Sequence, residues 1–501
     1  MKEFILKYKW VLFIIIVSVN FLFKFLFVGD NSLWLDECYS VQLAHKSVGE
    51  IITVAMVDEP NPPLYGIAMH YWINMFGDSE VSVRSLSVLA SALAAGILFL
   101  LCLHFFNWQS AVFASIAYLT SNELYYYAQE ARTYALIVLW VILSYYLFLS
   151  LINRPTLLKA ILFAIVNACI FYSHFLACFI IVGEIILFPL FAFQNKTEIN
   201  TNGNKVLSLQ IRKSLLIYFI LSGFILVGLL FPWKDRLVFL LLEGGKAMWL
   251  AKPTYADFKN CIYDFYNSKG LYQAHIYSAL LFIVLLCIKK FRHEGFNWKM
   301  LLFALVAGPG LLYLNYFLAG YTPIFLKRYV LFTTLGFILA YAYLFSLLNF
   351  NFYIKLALFL TLSIFSFSKM IIPRESLNDY NKAIPHLKSL QKDNTTLIIN
   401  DMQDQFAYYY DKEIFRIGAY HLKHQALRKN NVYTPFTQTW PEDEDFSMYH
   451  HIYYTRSFFG YYDPQETIPK RLALKYKQAE DISDYKGIKI THYINQDYKP
   501  K

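Results

Sequence analysis

Residues 10–28, WVLFIIIVSVNFLFKFLFV, form the first long apolar run of the chain, and residues 31–40, NSLWLDECYS, follow it as a polar stretch. About 20 apolar residues are enough for a helix to cross hydrocarbon, so the run predicts a membrane span. Lys2, Lys7 and Lys9 precede the run, and no small-residue cleavage site follows it. This pattern predicts an uncleaved anchor with its N-terminus in the cytoplasm.

The composition extends this prediction to the whole chain. Of the 501 residues, 57% are hydrophobic and only 16% are charged, and the mean hydropathy is +0.38. These values are typical of a polytopic α-helical membrane protein. The formal net charge is +10, but the basic residues are scattered over short loops between apolar runs. They therefore indicate membrane topology and contact with anionic lipid, and we expect no nucleic-acid partner.

Further apolar segments predict about eleven spans. The loops around Lys159, Lys205 and Lys290 are basic, which places them in the cytoplasm together with the N-terminus. An odd number of spans then places the C-terminus on the opposite side. The predicted segments are 10–28, 86–105, 111–126, 133–152, 157–173, 175–193, 214–231, 274–289, 300–318, 329–348 and 355–371.

We expect two domains. Residues 1–371 form a transmembrane domain, which includes the outer loops 29–85 and 232–273. Residues 372–501 are too polar and too long for a simple terminus, and they alternate an amphipathic helix (379–390), an apolar strand (396–399), a second helix (403–410) and β-rich runs such as 452–454. This order predicts a small soluble α/β domain outside the cytoplasm.

The polar stretch after the first span contains two adjacent acids, Asp36 and Glu37. Neighbouring carboxylates repel each other, and each is costly to ionise at the edge of a low-dielectric slab. One of them should therefore bind its proton more tightly and be useful as a base. The alternative is a solvated loop with a helix cap, because an acid at a helix start can accept from free backbone N–H groups.

Several motifs occur in an order that resembles a known family. They are LDE at 35–37, PPLY at 62–65, FGDSE at 76–80 followed by Val83-Arg84, QEARTYAL at 129–136 and, more weakly, YSHF at 172–175, FPW at 231–233 and KRY at 327–329. The pattern resembles bacterial integral-membrane glycosyltransferases of the GT-C fold. These enzymes are related to protein O-mannosyltransferases and the aminoarabinose transferase of lipid A, in glycosyltransferase family 39 and its relatives. The chain departs from the pattern at Asn61, where many relatives have His or Lys.

The resemblance implies a polyprenyl-phosphate-linked sugar as the donor, inversion at the anomeric carbon, and chemistry outside the cytoplasm. It implies a multi-pass protein of the bacterial inner membrane with its C-terminal domain in the periplasm. The acceptor would be lipid A, a cell-envelope glycan or a protein. Motifs that match the family's catalytic set all lie before Tyr329, so the tail is expected to serve acceptor choice rather than donor chemistry.

The resemblance also assigns roles to individual residues. Asp36 would be the general base with Glu37 as its partner, and Glu130 would position sugar or acceptor. Positive side chains would bind the donor phosphate, and Arg suits this role because its planar fork donates two hydrogen bonds. The phosphate-binding candidates are Arg132, Arg328 and Lys327, and the further substrate-binding candidates are Asn61, Tyr65, Arg84 and His174.

Simpler structural roles remain open for these residues. Glu130 and Arg132 could form a surface ion pair, Arg328 and Lys327 could extend towards the interface, and His174 could be a hydrogen-bonded core residue. The sequence requires no cofactor, because it contains no phosphate-binding loop or zinc-protease motif. A divalent metal on the carboxylates and a disulfide between the two cysteines on the outer side, at 38 and 261, remain open alternatives. The alternative function is a transporter or flippase of a lipid-linked or envelope substrate.

Overall fold

The computed structural model describes residues 1–57, 61–199, 205–242, 250–288, 291, 295–400, 403–434, 446–457 and 465–498. The chain divides into two compact units. The membrane unit comprises Met1–Leu26, Val48–Ala68 and Arg84–Ile371, and the carboxy-terminal unit comprises Phe27–Ser47, Met69–Val83 and Ile372–Lys501. Positions 58–60 of the outer loop and Lys289, Lys290 and Arg292 of a predicted cytoplasmic loop lie outside the described residues.

The first part of the chain is mainly helical, as expected from its apolar runs. In chain order the helices and strands up to residue 367 are α1 Lys2–Lys7, α2 Lys9–Phe25, α3 Leu35–Ala44, α4 Val48–Val57, α5 Leu64–Phe76, α6 Glu80–Leu101, α7 Trp108–Leu119, α8 Asn122–Tyr126, α9 Tyr134–Asn153, α10 Leu157–Ser173, α11 Phe179–Ala192, β1 Phe193–Ile199, β2 Lys205–Ile211, α12 Lys213–Leu230, α13 Lys234–Leu242, α14 Tyr255–Phe265, α15 Lys269–Cys287, α16 Trp298–Leu305, α17 Leu311–Ala319, α18 Thr334–Ser346 and α19 Phe352–Phe367. Strands β1 and β2 pair as an antiparallel hairpin.

Each of the predicted apolar segments overlaps a helix, and the protein is a multi-pass membrane protein. The number of eleven spans is not confirmed. Within the described residues, six helical segments are long and apolar enough to cross a membrane: Glu80–Phe106, Tyr134–Asn153, Phe175–Ala192, Lys213–Phe239, Lys269–Cys287 and Trp298–Ala319. Four apolar helices are shorter, namely Val48–Val57, Leu157–Ser173, Leu331–Ser346 and Phe352–Phe367.

Two glycines allow backbones to touch inside the membrane unit. A π-helical segment, Val306–Gly310, separates α16 from α17 and packs against α18. A Cβ atom on Gly336 would lie only 2.0 Å from the backbone nitrogen of Gly308. Any side chain at either position would therefore push α18 away from this segment.

The carboxy-terminal unit contains the predicted α/β domain. Its elements are α20 Tyr380–Leu390, β3 Thr395–Asn400, α21 Gln403–Tyr410, α22 Lys412–Arg416, α23 Tyr420–Lys429, β4 Val432–Tyr433, β5 His451–Ser457, α24 Thr467–Lys475, β6 Lys477–Tyr485 and β7 Ile488–Ile494. The sheet has the strand order β4-β3-β5-β7-β6, in which β3 is parallel to both neighbours and β7 is antiparallel to both of its own. Buried side chains such as Ile398, Ile452 and Tyr493 form its core.

The two outer-loop segments belong to this unit by contact, whereas the sequence-based division placed them with the membrane domain. Asp78 connects them to the α/β domain. Its carboxylate lies 3.1 Å from His45 Nε2, 3.6 Å from Lys412 Nζ and 3.6 Å from Arg416 Nη2. The Tyr408 hydroxyl donates to the Asp78 carbonyl oxygen at 2.6 Å. The hydrogen bond with His45, assisted by the two cations and opposed by burial, holds the pKa of Asp78 well below its usual range.

We predict that Asp78→Asn lowers the free energy of unfolding of this unit by roughly 1–3 kcal/mol, because the variant weakens hydrogen bonds to a charged group. The folded pKa of Asp78 is depressed, so its contribution is present above the unfolded pKa and is lost only as the pH falls through the folded pKa. The difference from wild type should thus be retained from pH 7 to pH 5 and should shrink below about pH 4. Thermal unfolding followed by tryptophan fluorescence measures it.

The control is Asp235→Asn, which removes a charge from a side chain that is 89% exposed and pairs with the neighbouring Lys234. We expect this variant to unfold like wild type. An equal effect of both variants would contradict the role assigned to Asp78.

Candidate active site

The adjacent acids of the carboxy-terminal unit have different environments. Helix α3 begins at Leu35, and because successive helical residues point about 100° apart, Asp36 and Glu37 face in different directions. Glu37 is fully buried, and its Oε2 accepts a hydrogen bond from the Trp34 N–H at 3.1 Å. Arg374 Nη2 lies 3.9 Å from the same oxygen. Asp36 is only partly buried. Glu37 is thus the helix cap, and Asp36 is the acid that solutes can reach.

The membrane unit brings two predicted arginines together with His174. We call Arg132, Tyr134, His174, Arg328 and Tyr329 the His174 cluster. The Arg328 guanidinium lies 5.9 Å from the ring centre of Tyr134 and 5.6 Å from that of Tyr329. The His174 ring lies 4.8 Å from the Tyr329 ring. The cluster forms where α9 begins, α10 ends and the short 3-10 helix Lys327–Tyr329 lies.

His174 is electrically neutral in this cluster. Burial, followed by the charges of Arg132 and Arg328, lowers the pKa of His174 to about 3. Its Nδ1 accepts a hydrogen bond from the Leu176 N–H at 3.2 Å. A neutral imidazole that accepts at Nδ1 carries its proton on Nε2, so His174 can act as a hydrogen-bond donor there. The cluster therefore combines two permanent cations with a neutral N–H donor.

The chain around Glu130 is fixed at both ends. Gln129 Nε2 donates to the Leu26 carbonyl oxygen at 2.7 Å, and Thr133 Oγ1 donates to the Ser173 carbonyl oxygen at 3.1 Å. Glu130 itself is 3% exposed, so it does not lie at the surface, as the alternative role left open by the sequence would require. The Glu130 side chain is buried, and the backbone that carries it is held on both sides. A residue that positions a substrate requires such support.

Nearby carboxylates also affect Tyr127. Burial, and then the charges of Glu123 and Glu130, raise the pKa of Tyr127 well above its usual value. Its hydroxyl consequently stays protonated at all physiological pH values. Tyr127 offers a phenol rather than a phenolate beside Glu130.

Lys327 has different partners from those that the sequence predicted. Its Nζ donates to Glu123 Oε1 at 3.1 Å and to Asp264 Oδ2 at 2.8 Å. Burial opposes its charge, but the two carboxylates outweigh burial and raise the pKa of Lys327. Two carboxylates share this charge, so Lys327 is an ion-pair residue in this structure, and its role as a phosphate ligand stays a prediction.

The remaining substrate-binding candidates are Tyr65, Arg84 and Asn61, and Tyr65 is connected to the backbone of Arg132. The Tyr65 hydroxyl shares a hydrogen bond of 3.3 Å with Ser87 Oγ, which donates to the Arg132 carbonyl oxygen at 3.2 Å. Tyr65 thus supports the segment that carries Arg132. Arg84 is buried in α6, and Asn61 is partly exposed just before α5.

The metal and disulfide alternatives gain no support. Within the described ranges, no three His, Cys, Asp or Glu side chains are grouped as metal ligands, so the divalent metal that the sequence left open stays an untested alternative. Neither Cys38 nor Cys261 takes part in a disulfide. Both thiols are buried, and Cys261 lies in an apolar cluster with Phe265 and Leu312.

Sequence reasoning missed Arg374, Glu123 and Asp264. Arg374 follows the last predicted segment by three residues, and a cation at that place in the chain was a usable signal. No sequence pattern indicated Glu123 or Asp264 as partners of Lys327, because these contacts depend on how the helices pack.

Comparisons with known proteins show which family model and which solved structures the chain is similar to. Residues 60–233 match the family model described as dolichyl-phosphate-mannose-protein mannosyltransferase. This range includes Tyr65, Glu130, Arg132 and His174. No curated protein sequence matches the chain.

Two crystal structures of ArnT from Cupriavidus metallidurans have the same fold. The apo structure is 11% identical over 98% of this chain and 99% of that protein, with a TM-score of 0.59. The structure bound to undecaprenyl phosphate is 10% identical over 99% of this chain and 100% of that protein, with a TM-score of 0.60. The predicted GT-C fold with a small C-terminal sheet domain, and the resemblance to family 39 membrane glycosyltransferases, are confirmed.

We predict that Lys327→Met destabilises the membrane unit more than the double variant Lys327→Met/Glu123→Gln. The single change leaves the Glu123 carboxylate, which is 5% exposed, without its cation, at a cost of roughly 1–3 kcal/mol. The second change removes that uncompensated charge and should restore part of the loss. Thermal unfolding of the purified variants in detergent compares them. A double variant that is less stable than the single variant would rule out this account of Lys327.

Proposed function

We propose that the protein is an inverting glycosyltransferase that moves a sugar from a polyprenyl-phosphate-linked donor to an extracytoplasmic lipid, glycan or protein hydroxyl. The fold shared with ArnT over nearly the whole chain supports this proposal, as does the family match to mannosyltransferases. The observation that carries it furthest is the His174 cluster. Two guanidiniums and an imidazole N–H donor, framed by tyrosines, suit a phosphate that leaves with negative charge.

The chemistry needs one base and a set of phosphate ligands. The acceptor oxygen attacks the anomeric carbon, the bond from that carbon to the phosphate oxygen breaks, and its electron pair stays on the polyprenyl phosphate. A phosphate monoester has a second pKa near 6, so this group can leave without a strong acid. The acceptor hydroxyl gives its proton to a carboxylate, for which Asp36 is the candidate because it is more exposed than Glu37.

The phosphate ligands are the guanidiniums of Arg132 and Arg328. An arginine fork can donate two parallel hydrogen bonds to one phosphate and cannot lose its charge at physiological pH. His174 adds a neutral donor. Since a low-dielectric surrounding strengthens each of these contacts, the burial of His174 at 7% exposure favours tight binding of the leaving phosphate.

We predict that Arg132→Gln and Arg328→Gln each weaken the binding of undecaprenyl phosphate to the purified protein by tens- to several-hundred-fold. The estimate follows from the loss of a charged hydrogen bond, which costs roughly 2–4 kcal/mol. Lys327→Met is the matched control, because it removes a positive charge from the neighbouring position while its own partners are carboxylates. Its affinity should stay within about threefold of wild type. An equal loss in Lys327→Met would contradict the assignment of the phosphate ligands.

We further predict that Asp36→Asn lowers kcat by at least about 100-fold and leaves the affinity for undecaprenyl phosphate unchanged. A base acts on the proton of the acceptor, whereas asparagine has the same shape but cannot take up that proton. Asp30→Asn is the control, since Asp30 is an exposed acid of the same loop. The measurement is release of polyprenyl phosphate from lipid-linked sugars in the presence of envelope extract. If Asp36→Asn keeps more than about a tenth of wild-type kcat, Asp36 is not the base.

A further inference from the structure

The residues just before α3 are held by side chains and backbone from the carboxy-terminal part of the same unit. Asn31 Nδ2 donates to the Arg374 carbonyl oxygen at 2.6 Å. The Ser32 hydroxyl donates to Asn381 Oδ1 at 2.9 Å and accepts from the Asn381 N–H at 3.0 Å. These bonds join positions more than 340 residues apart in the chain. The segment 31–34 is therefore fixed from outside its own loop.

Leu33 is held most completely. Its backbone N–H donates to the Tyr409 hydroxyl oxygen at 2.7 Å, and its carbonyl oxygen accepts from Gln405 Nε2 at 3.1 Å. Gln405 and Tyr409 are four residues apart in α21, so they lie on one face of that helix. Leu33 is fully buried, and a buried backbone requires partners for both of its polar groups. Two side chains of α21 supply them.

The far end of α3 is held by the same domain. Gln42 Nε2 donates to the Phe415 carbonyl oxygen at 3.0 Å and to that of Ile417 at 3.3 Å. His45, which follows the helix, contacts Asp78. With both ends fixed, α3 cannot slide or rotate unless one of these bonds breaks.

We propose that Gln405 and Tyr409 are positioning residues for the base Asp36, and that they act through the backbone of Leu33. This inference rests on the proposed function, because it assigns the two residues to the same reaction. Asp36 follows Leu33 by three residues, and the Trp34 N–H between them is already bound by Glu37. The path from α21 to Asp36 is thus short and hydrogen-bonded. A displacement of about 1 Å at a reacting group can cost around 100-fold in rate, so this support has a measurable consequence.

Tyr409 can be tested by a small change. Burial raises the pKa of Tyr409 well above its usual value, so the side chain is a phenol that accepts the Leu33 N–H. Tyr409→Phe keeps the ring and removes that acceptor. Tyr410→Phe is the matched control, since Tyr410 lies in the same helix and its hydroxyl donates to Gln391 Oε1 at 2.8 Å, away from the segment 31–34. Both variants lose one tyrosine hydroxyl and one hydrogen bond.

The first measurement compares kcat and the donor KM of the two full-length variants with a polyprenyl-phosphate-linked sugar. We expect Tyr409→Phe to lower kcat by roughly 10- to 100-fold with the donor KM within about twofold of wild type, because the base moves while the phosphate ligands do not. Tyr410→Phe should keep both constants within about twofold. Equal kcat values for the two variants, at equal thermal stability, would overturn the proposal.

The second measurement places Tyr409→Phe in the Asp36→Asn background. If Tyr409 acts through Asp36, the double variant should have the residual rate of Asp36→Asn alone, since there is no base left to misplace. A further loss by the same factor as in wild type would show that Tyr409 acts by another route, and it would overturn the proposal. The kcat of the Asp36→Asn single variant tests separately whether Asp36 is the base at all.

Gln405→Met provides an independent variant if Tyr409→Phe does not fold. Methionine has a similar shape to glutamine and lacks the amide that donates to the Leu33 carbonyl oxygen. We expect the same pattern of lower kcat and unchanged donor KM. A Gln405→Met enzyme that folds and keeps wild-type kcat would count against the proposal.

Discussion

A buried backbone must find partners for its polar groups, and the stretch that leads into α3 meets this constraint with side chains instead of a regular strand. Leu33 is buried, and both of its backbone bonds go to α21. The start of α3 is consequently defined by residues of the carboxy-terminal domain. Asp36 lies in the first turn of that helix. The carboxy-terminal domain, which follows the membrane spans in the sequence, therefore supports Asp36, the more exposed acid of the pair Asp36-Glu37.

Several charges in each unit are neutralised by a neighbouring group. In the carboxy-terminal unit, Glu37 lies beside Arg374, and Asp78 contacts His45 and two further cations. In the membrane unit, Lys327 is shared by two carboxylates, and His174 is neutral. Unpaired charges would be costly in such surroundings. The groups assigned to the proposed chemistry are the partly exposed carboxylate of Asp36 in one unit and, in the other, the guanidiniums of Arg132 and Arg328 with the neutral His174.

The sequence predicted the elements better than their associations. Apolar runs placed the helices, and helix α21 was predicted with the bounds that it has, because local periodicity determines such elements. The number of spans was not confirmed, since a helix of 16 or 17 residues can be read as a span or as a shorter packed helix. The polar hairpin β1–β2 was missed in a region predicted as a loop. The partners of Lys327 and the attachment of α3 to α21 could not be predicted, because they join residues that are distant in sequence.

The central claim is that this chain breaks the bond between a sugar and a polyprenyl phosphate, and the most direct measurement is the fate of the lipid. Purified protein in sealed vesicles is given lipid-linked sugars and an envelope extract, and mass spectrometry identifies the lipid product. We expect polyprenyl monophosphate, together with a glycosylated acceptor whose anomeric configuration is inverted. Recovery of the intact lipid-linked sugar on the other side of the vesicle membrane, with no monophosphate released, would contradict it and would favour a flippase.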